Sequence, residues 1–328
     1  MARRVEWAGI TFADFAARWL EQVGGLRPTS KAWYEGALRL HANPKIGRLK
    51  MSELTVDDIA GLIDHLQREG LAPTTIRSVL VPVNRVIEHG IRRGALSTNP
   101  VHGLERHERP KVQREEMRFL NAGEIDALLT HAADRYRTLL ATAIFTGLRS
   151  GELLGLPWSD VDFDEGLVHV RQQVHRSGLS APLKTRNAQR AVLLMPALGR
   201  MLSEHRAGSS YSQASDYVFT RPDGRPMHPD SVRRLGLHPA VKRAGIDTAG
   251  KPRLRFHDLR HTFASLLIAQ GVNVAFASRQ LGHASVSTTL NVYTHLFDHA
   301  EHAATVLERL EGRFGETLRA TETEPAVV

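Results

Sequence analysis

Near the amino terminus, four stretches repeat apolar side chains every third or fourth residue, a period that a helix gathers into one buried face. Phe12, Phe15, Ala16, Trp19 and Val23 form the first stripe, opened by Thr11-Phe-Ala-Asp14 with the spacing of a capping box. A second helix is predicted over 29–40, with Trp33 and Ala37 turned inward and Asn43-Pro44 ending it. Thr55-Val-Asp-Asp58 opens a third, whose stripe is Ile59, Leu62, Ile63 and Leu66. The fourth starts at Pro73, a residue suited to a first helical turn, and carries Ile76, Val79, Leu80, Val83, Val86 and Ile87. Pro82 falls inside it and predicts a kink. Residues 11–96 are therefore expected to form a helical bundle behind a short extension, 1–10.

The period then stops. Residues 97–117, STNPVHGLERHERPKVQREEM, carry two prolines and dense charge, which reads as an exposed interdomain linker. A second domain is expected over 118–296. It opens with Asn121-x-x-Glu124, another capping box, followed by an apolar helix over 135–146 that ends at Gly147. Short strands are predicted at 167–172, around 182–184 and at 189–195, with turn chemistry from Lys184 between the last two. Pro196 starts a helix to about His205, and further helices fit 229–244, 257–270, 273–281, 285–292 and 298–311. The fold class is mainly α: a helical bundle, then a mixed α/β domain, mostly helical with a small antiparallel sheet. Residues 297–328 hold a last helix and a tail.

Composition narrows the function. A chain of 328 residues can bury two cores. The absence of cysteine excludes disulfides, thiolate metal sites and a cysteine nucleophile. There is no apolar run of membrane-spanning length, and the start Met-Ala-Arg-Arg-Val-Glu-Trp lacks the apolar stretch of a signal peptide, so a cytoplasmic location is expected. The net charge of +8 is concentrated: Arg171 to Arg260 holds 17 Lys and Arg against 6 Asp and Glu, leaving the remainder slightly acidic. A local basic surface favours a polyanionic partner.

The chemistry-bearing residues cluster between Arg255 and His295. His257 and Arg260 are three apart and share a helix face, His283 follows in Leu-Gly-His, and Tyr293 comes ten residues later. Cation donors, imidazoles and a phenol suit an anionic, oxygen-rich reacting group such as a phosphodiester. Taken singly, each has a plainer reading: a capping arginine, a packed histidine, a half-buried tyrosine. His257-Asp-Leu-Arg-His261 also comes close to the zinc-hydrolase pattern His-Glu-x-x-His. The shorter Asp, the cation at Arg260 and the lack of a third ligand weigh against a metal, so His261 is expected to be structural, paired within its helix bundle.

His-x-x-Arg, then Leu-Gly-His, then Tyr resembles the carboxyl-terminal signature of the tyrosine recombinases, the phage-integrase family. Thr146-Gly-Leu-Arg149-Ser-Gly-Glu152 resembles the family's first-arginine motif. The resemblance implies that Arg149 is the first arginine, with Glu152 supporting it, and that Lys184 is the hairpin lysine. It makes His257 and Arg260 the central pair, His283 the second imidazole and Tyr293 the nucleophile. It further implies a SAM-like core-binding domain that clamps double-stranded DNA. The activity implied is site-specific recombination through a 3′-phosphotyrosyl ester and a Holliday junction, by a homo-tetramer on paired sites in the nucleoid, with no metal or nucleotide cofactor. Two arginines could hold the equatorial oxygens of the phosphoryl transition state. His257 could take the phenol proton, and Lys184 could protonate the leaving 5′ oxygen. The last helix is expected to dock on a neighbouring protomer. Many phage integrases carry a further small domain for accessory arm sites; only about ten residues precede the first helix here, which fits either a protein without arm binding or a shortened form of one that has it. A type IB topoisomerase uses similar chemistry, but the Leu-Gly-His to Tyr spacing and the helical amino-terminal domain favour a recombinase. A non-catalytic DNA-binding protein on the same fold would show decay at one of the six positions, and none is seen.

Overall fold

The computed structural model describes residue 7 and residues 9–112, 117–175, 178, 180–183, 189–247 and 250–293. The chain divides into two compact units, Met1–Glu115 and Glu116–Val328.

In the first unit, α1 (Phe12–Gln22) begins where the Thr11 side chain accepts the Asp14 N–H. At the start of α4 (Val56–Arg68), Thr55 and Asp58 cap each other reciprocally, at 3.2 and 2.9 Å. α5 (Pro73–Arg93) runs unbroken through Pro82 and closes at Gly94, whose φ of +79° is the left-handed conformation that glycine adopts without steric cost. The apolar stripes of α1, α4 and α5 meet in one core, with Phe12, Ile59, Leu62 and Val86 fully buried.

α2 (Pro28–Ala37) departs from the sequence reading. Trp33, expected inward, is 47% exposed. Its neighbour Tyr34 takes the inward seat, stacked on Trp19 at 6.0 Å, because Tyr34, Ala37 and Leu38 fall at i, i+3 and i+4. Nor does Asn43-Pro44 end the helical path. A π-helical turn over Leu38–Ala42 lets the Asn43 N–H reach back to Leu38 O. Pro44, with no N–H to donate, then falls in the first turn of α3 (Asn43–Ile46).

The segment 97–112 is irregular, as expected, but it folds back onto the first unit. Leu104 is 5% exposed within the core, Asn99 bonds Asn84 at 2.8 Å, and Arg109 caps the Leu104 carbonyl at 3.2 Å.

The second unit opens with α6 (Ala122–Thr130), where Asn121 and Glu124 form the capping box read from the sequence. α7 (Asp134–Thr146) is buried almost all round at Leu139–Ile144 and packs against α9 (Pro196–Ala207) and α12 (Asp258–Ala269). Short α8 (Ser150–Leu154) follows. Strands β1 (Val161–Asp162), β2 (Leu167–Val170) and β5 (Arg190–Leu193) make an antiparallel sheet in that order, with Val168 opposite both Val161 and Val192. β3 (Gln172–Val174) and β4 (Ser180–Pro182) pair separately. The single strand expected over 167–172 is thus two strands in different sheets, parted at Arg171, whose side chain leaves to bond Asp160 at 2.5 Å. The helix expected over 229–244 is α10 (Pro229–Ser231), a π-helical turn over Val232–Leu237, and α11 (His238–Ala244). α13 (Val274–Leu281) and α14 (Val286–Tyr293) close the described chain. Lys184 and the helix expected over 298–311 lie outside the described residues. Among those residues no helix is long and apolar enough to cross a membrane.

Gly147 sets the direction in which the chain leaves α7. Its φ is +61°, and a Cβ there would sit 2.4 Å from Phe263 Cδ1. Gly147→Ala is expected to cost about 1–3 kcal/mol in backbone strain alone, with overpacking adding to it. A thermal melt checks this, and an unchanged melting temperature would contradict it.

Candidate active site

The turn after α7 delivers Arg149 as the N-cap of α8, with Glu152 at the third helical position. Glu152 accepts from the Arg149 backbone N–H at 2.9 Å and from its Nη1 at 2.8 Å. Arg190, from β5, approaches the same carboxylate from the other side, Nη2 at 2.9 Å and Nη1 at 3.3 Å. Glu152 is buried, and burial works to raise its pKa. The Arg190 hydrogen bond and charge, with Arg149, outweigh that and hold the carboxyl below its usual range.

The carboxyl end of α13 completes the cluster. A helix ends in carbonyls without intrahelical partners and with partial negative charge. Here three consecutive ones accept from three arginines: Gln280 O from Arg190 Nε at 2.7 Å, Leu281 O from Arg260 Nη2, and Gly282 O from Arg149 Nη2 at 3.2 Å. Arg260 Nη1 also reaches Gly147 O at 2.7 Å, tying α12 to the end of α7. Gly282, at φ +63°, leaves room for Arg190, whose Nη1 would be 2.8 Å from an added Cβ. The Leu-Gly-His motif is therefore a turn that orients guanidinium groups as well as the carrier of His283.

The arginines differ in exposure. Arg260 is 3% exposed, and burial, followed by the Arg149 and Arg190 charges, pushes it down to about 9, where it still holds its proton at neutral pH. The Arg149 side chain remains 39% exposed and forms the open end of the cluster.

Both sequence-expected histidines lie beside these cations. His283 Nδ1 bonds Thr289 Oγ1 at 2.8 Å. Burial, then Arg260, Arg149 and Arg190, pushes its imidazole down to about 4. His257 precedes α12 and is an exposed residue. Lost hydration around the ring, with His261 and Arg260, brings it to about 4 as well. Both rings are neutral at pH 7.

Tyr293 ends α14 with 1% exposure. Burial pushes its phenol up to about 12 against the opposing pull of Arg260. Its hydroxyl lies 2.8 Å from His261 Nδ1. His261 is paired within its helical unit, as expected, and its partner is the phenol of α14. The expectation for His257 is revised: it stands behind His261, their rings edge-on at 4.9 Å, with the tyrosine bonded to His261 instead. Among the described residues no three His, Asp or Glu side chains converge as a metal site would need. The structure brings Arg149, Glu152, His257, Arg260, His283 and Tyr293 within electrostatic reach of one another, together with His261 and Arg190, which the sequence did not single out for the site.

These shifts give the stability a pH dependence. Between pH 6.5 and about 4 the unfolded chain protonates His257 and His283 while the folded one resists, so stability falls as the pH drops across that window. Glu124 adds a second phase. Burial opposes its ionisation, but bonds from Arg118 and Lys251 hold it at about 2 against an ordinary 4.5. Its contribution is full above 4.5 and is lost as the pH falls towards 2. The melting temperature is expected to decline steadily from pH 7 to pH 4, and a flat profile there would contradict the neutral-imidazole picture.

The phage integrase family model matches residues 118–300, and that of the phage integrase N-terminal SAM-like domain matches residues 11–67. A tyrosine recombinase XerC-like protein of Caldanaerobacter subterraneus subsp. tengcongensis is 29% identical over 326 residues, covering 89% of this chain and 81% of the relative. Among solved structures, the Tn1549 transposon integrase in complex with a circular intermediate DNA has a similar fold. Its TM-score is 0.79 at 18% identity, over 92% of this chain and 99% of that one. A lambda integrase tetramer bound to a Holliday junction gives a TM-score of 0.66 at 20% identity, over 86% and 77% of the two chains. The chain belongs to the phage integrase family: it is a tyrosine recombinase, an enzyme of site-specific DNA recombination.

Proposed function

We propose that this recombinase cuts DNA by attack of Tyr293 on a phosphodiester, forming a 3′-phosphotyrosyl ester and releasing a 5′ hydroxyl. The reading rests on the convergence of Arg149, Arg260 and His283 at the end of α13, in the same unit as the buried phenol. Arg149 and Arg260 hold the non-bridging oxygens, where negative charge spreads in the transition state. His283, as a neutral imidazole, adds a hydrogen bond. The phenol proton passes to His261 and on towards His257. The Tyr–P bond forms as the P–O5′ bond breaks, and Lys184 supplies the proton that the departing 5′ oxygen takes up. Glu152 holds Arg149 in place and touches no substrate. The bond energy is kept in the ester, so a 5′ hydroxyl from a second strand reseals the backbone with no nucleotide or metal cofactor.

Tyr293 is closed off and protonated as it stands, so it hands its proton to His261 as it leaves that seat to reach DNA. That suits control by assembly. Four protomers on paired double-stranded sites in the nucleoid, passing through a Holliday junction, are the proposed working form, with residues 298–311 docking on a neighbour. The lambda integrase tetramer supports the analogy. Both integrases and Xer-type recombinases stand among the relatives, so integration of a mobile element and resolution of chromosome dimers are the two roles that this chemistry would serve.

A nicked suicide duplex carrying the target site tests this: a protein–DNA adduct should survive denaturation and form equally in EDTA. No adduct on any cognate site would overturn the reading. Lys184 has its own test. With sulfur in place of the bridging 5′ oxygen the leaving group needs little protonation, so Lys184→Ala should cleave the thio substrate and fail on the oxygen one. Equal defects on both would remove its acid role.

A further inference from the structure

We infer that Arg190 is a positioning residue of the active site: its guanidinium, held between the Glu152 carboxylate and the Gln280 carbonyl, fixes both the group that orients Arg149 and the turn that carries His283. The inference rests on the recombinase reading above. Arg190 stands in β5, and its side chain is 5% exposed, against 39% for Arg149. That burial separates its job from phosphate binding. It places both terminal nitrogens on Glu152 and Nε on Gln280 O at 2.7 Å, a rigid three-point fork. A lysine ammonium, as a point charge, cannot reproduce that fork. Through Glu152 it sets the Arg149 guanidinium, and through Gln280 and its packing on Gly282 it sets the two carbonyls that hold Arg260 and Arg149.

Arg149 and Arg190 face Glu152 directly, while Arg260 and His283 stand on the elements packed beside them. Without Arg190, burial at Glu152 is opposed by Arg149 and the charge of Arg260, with the strongest hydrogen-bonded partner gone. The carboxyl then takes up a proton at a higher pH and releases its grip on Arg149. The deficit of the variant should therefore deepen as the pH falls, which a purely structural role would not produce.

The test uses the full-length protein, the nicked suicide duplex and single-turnover cleavage at saturating protein from pH 6 to pH 8.5. Arg190→Gln should keep DNA affinity and lose cleavage on the order of 10- to 100-fold, as is typical of groups that orient a catalytic ligand. The loss should be worse at pH 6, and Arg190→Lys should not restore activity. The double variant Arg190→Gln with Glu152→Gln removes both buried charges, so it guards against simple unfolding of the single variant. It should show a cleavage deficit that no longer varies with pH. Wild-type cleavage by Arg190→Gln or by the pair would overturn the inference. So would rescue by lysine, or a fall in DNA affinity that matches the fall in cleavage. If wild-type protein itself forms no adduct, the recombinase reading fails instead.

Discussion

Tyr293→Phe is expected to bind target DNA as wild type does and to form no covalent complex with it. The substitution keeps the ring that fills the core at the end of α14, so packing is preserved. It removes the oxygen that would attack phosphorus and the 2.8 Å bond to His261. Losing one such bond costs about 0.5–1.5 kcal/mol, too little to unfold a domain of this size. Gel shift on intact duplex, with a denaturing gel on the nicked substrate, separates binding from chemistry. A persisting adduct would move the nucleophile elsewhere. Tyr217 and Tyr211 are next to check, although the Tyr211 hydroxyl is already engaged by Pro222 O at 2.9 Å.

Removing either clamp arginine should cost cleavage far more than binding. One strong transition-state donor is typically worth about 2.7–4 kcal/mol, or roughly 100- to 1000-fold in rate. The structure divides the two cases. Arg149 is half-exposed and caps only its own short helix and Gly282, so Arg149→Ala should lose that rate with little change in melting temperature. Arg260 is sealed in and joins α12 to the ends of α7 and α13, so Arg260→Ala should lose both cleavage and stability. Single-turnover cleavage beside a melting curve checks both. Full cleavage by either variant would contradict the clamp, and an Arg260→Ala protein as stable as wild type would contradict its place in the packing.

Much of this arrangement is legible in the sequence because it is local. The capping residues Thr11, Thr55 and Asn121 each act within one helical turn, and the stripes of α1, α4 and α5 follow from helical period alone. Reading failed where a one-residue shift decided the outcome. Trp33 and Tyr34 are both plausible core aromatics, and only the seat on Trp19 chooses Tyr34. Residues meeting across long separations were also hidden. His261 and Tyr293 are 32 positions apart, and nothing in that spacing pairs them. Arg190 left a faint signal. It shares the inner face of β5 with fully buried Val192, and a charge at an inward strand position implies a buried partner. Without the fold, that partner could not be identified as Glu152.

The central claim is that Tyr293 becomes joined to a 3′ phosphate. The trapped complex can be digested with nuclease and protease and the modified peptide sequenced by mass spectrometry. The account requires one modified peptide, carrying the nucleotide on Tyr293 through its 3′ phosphate. A nucleotide on any other residue, or one attached through a 5′ phosphate, would contradict it.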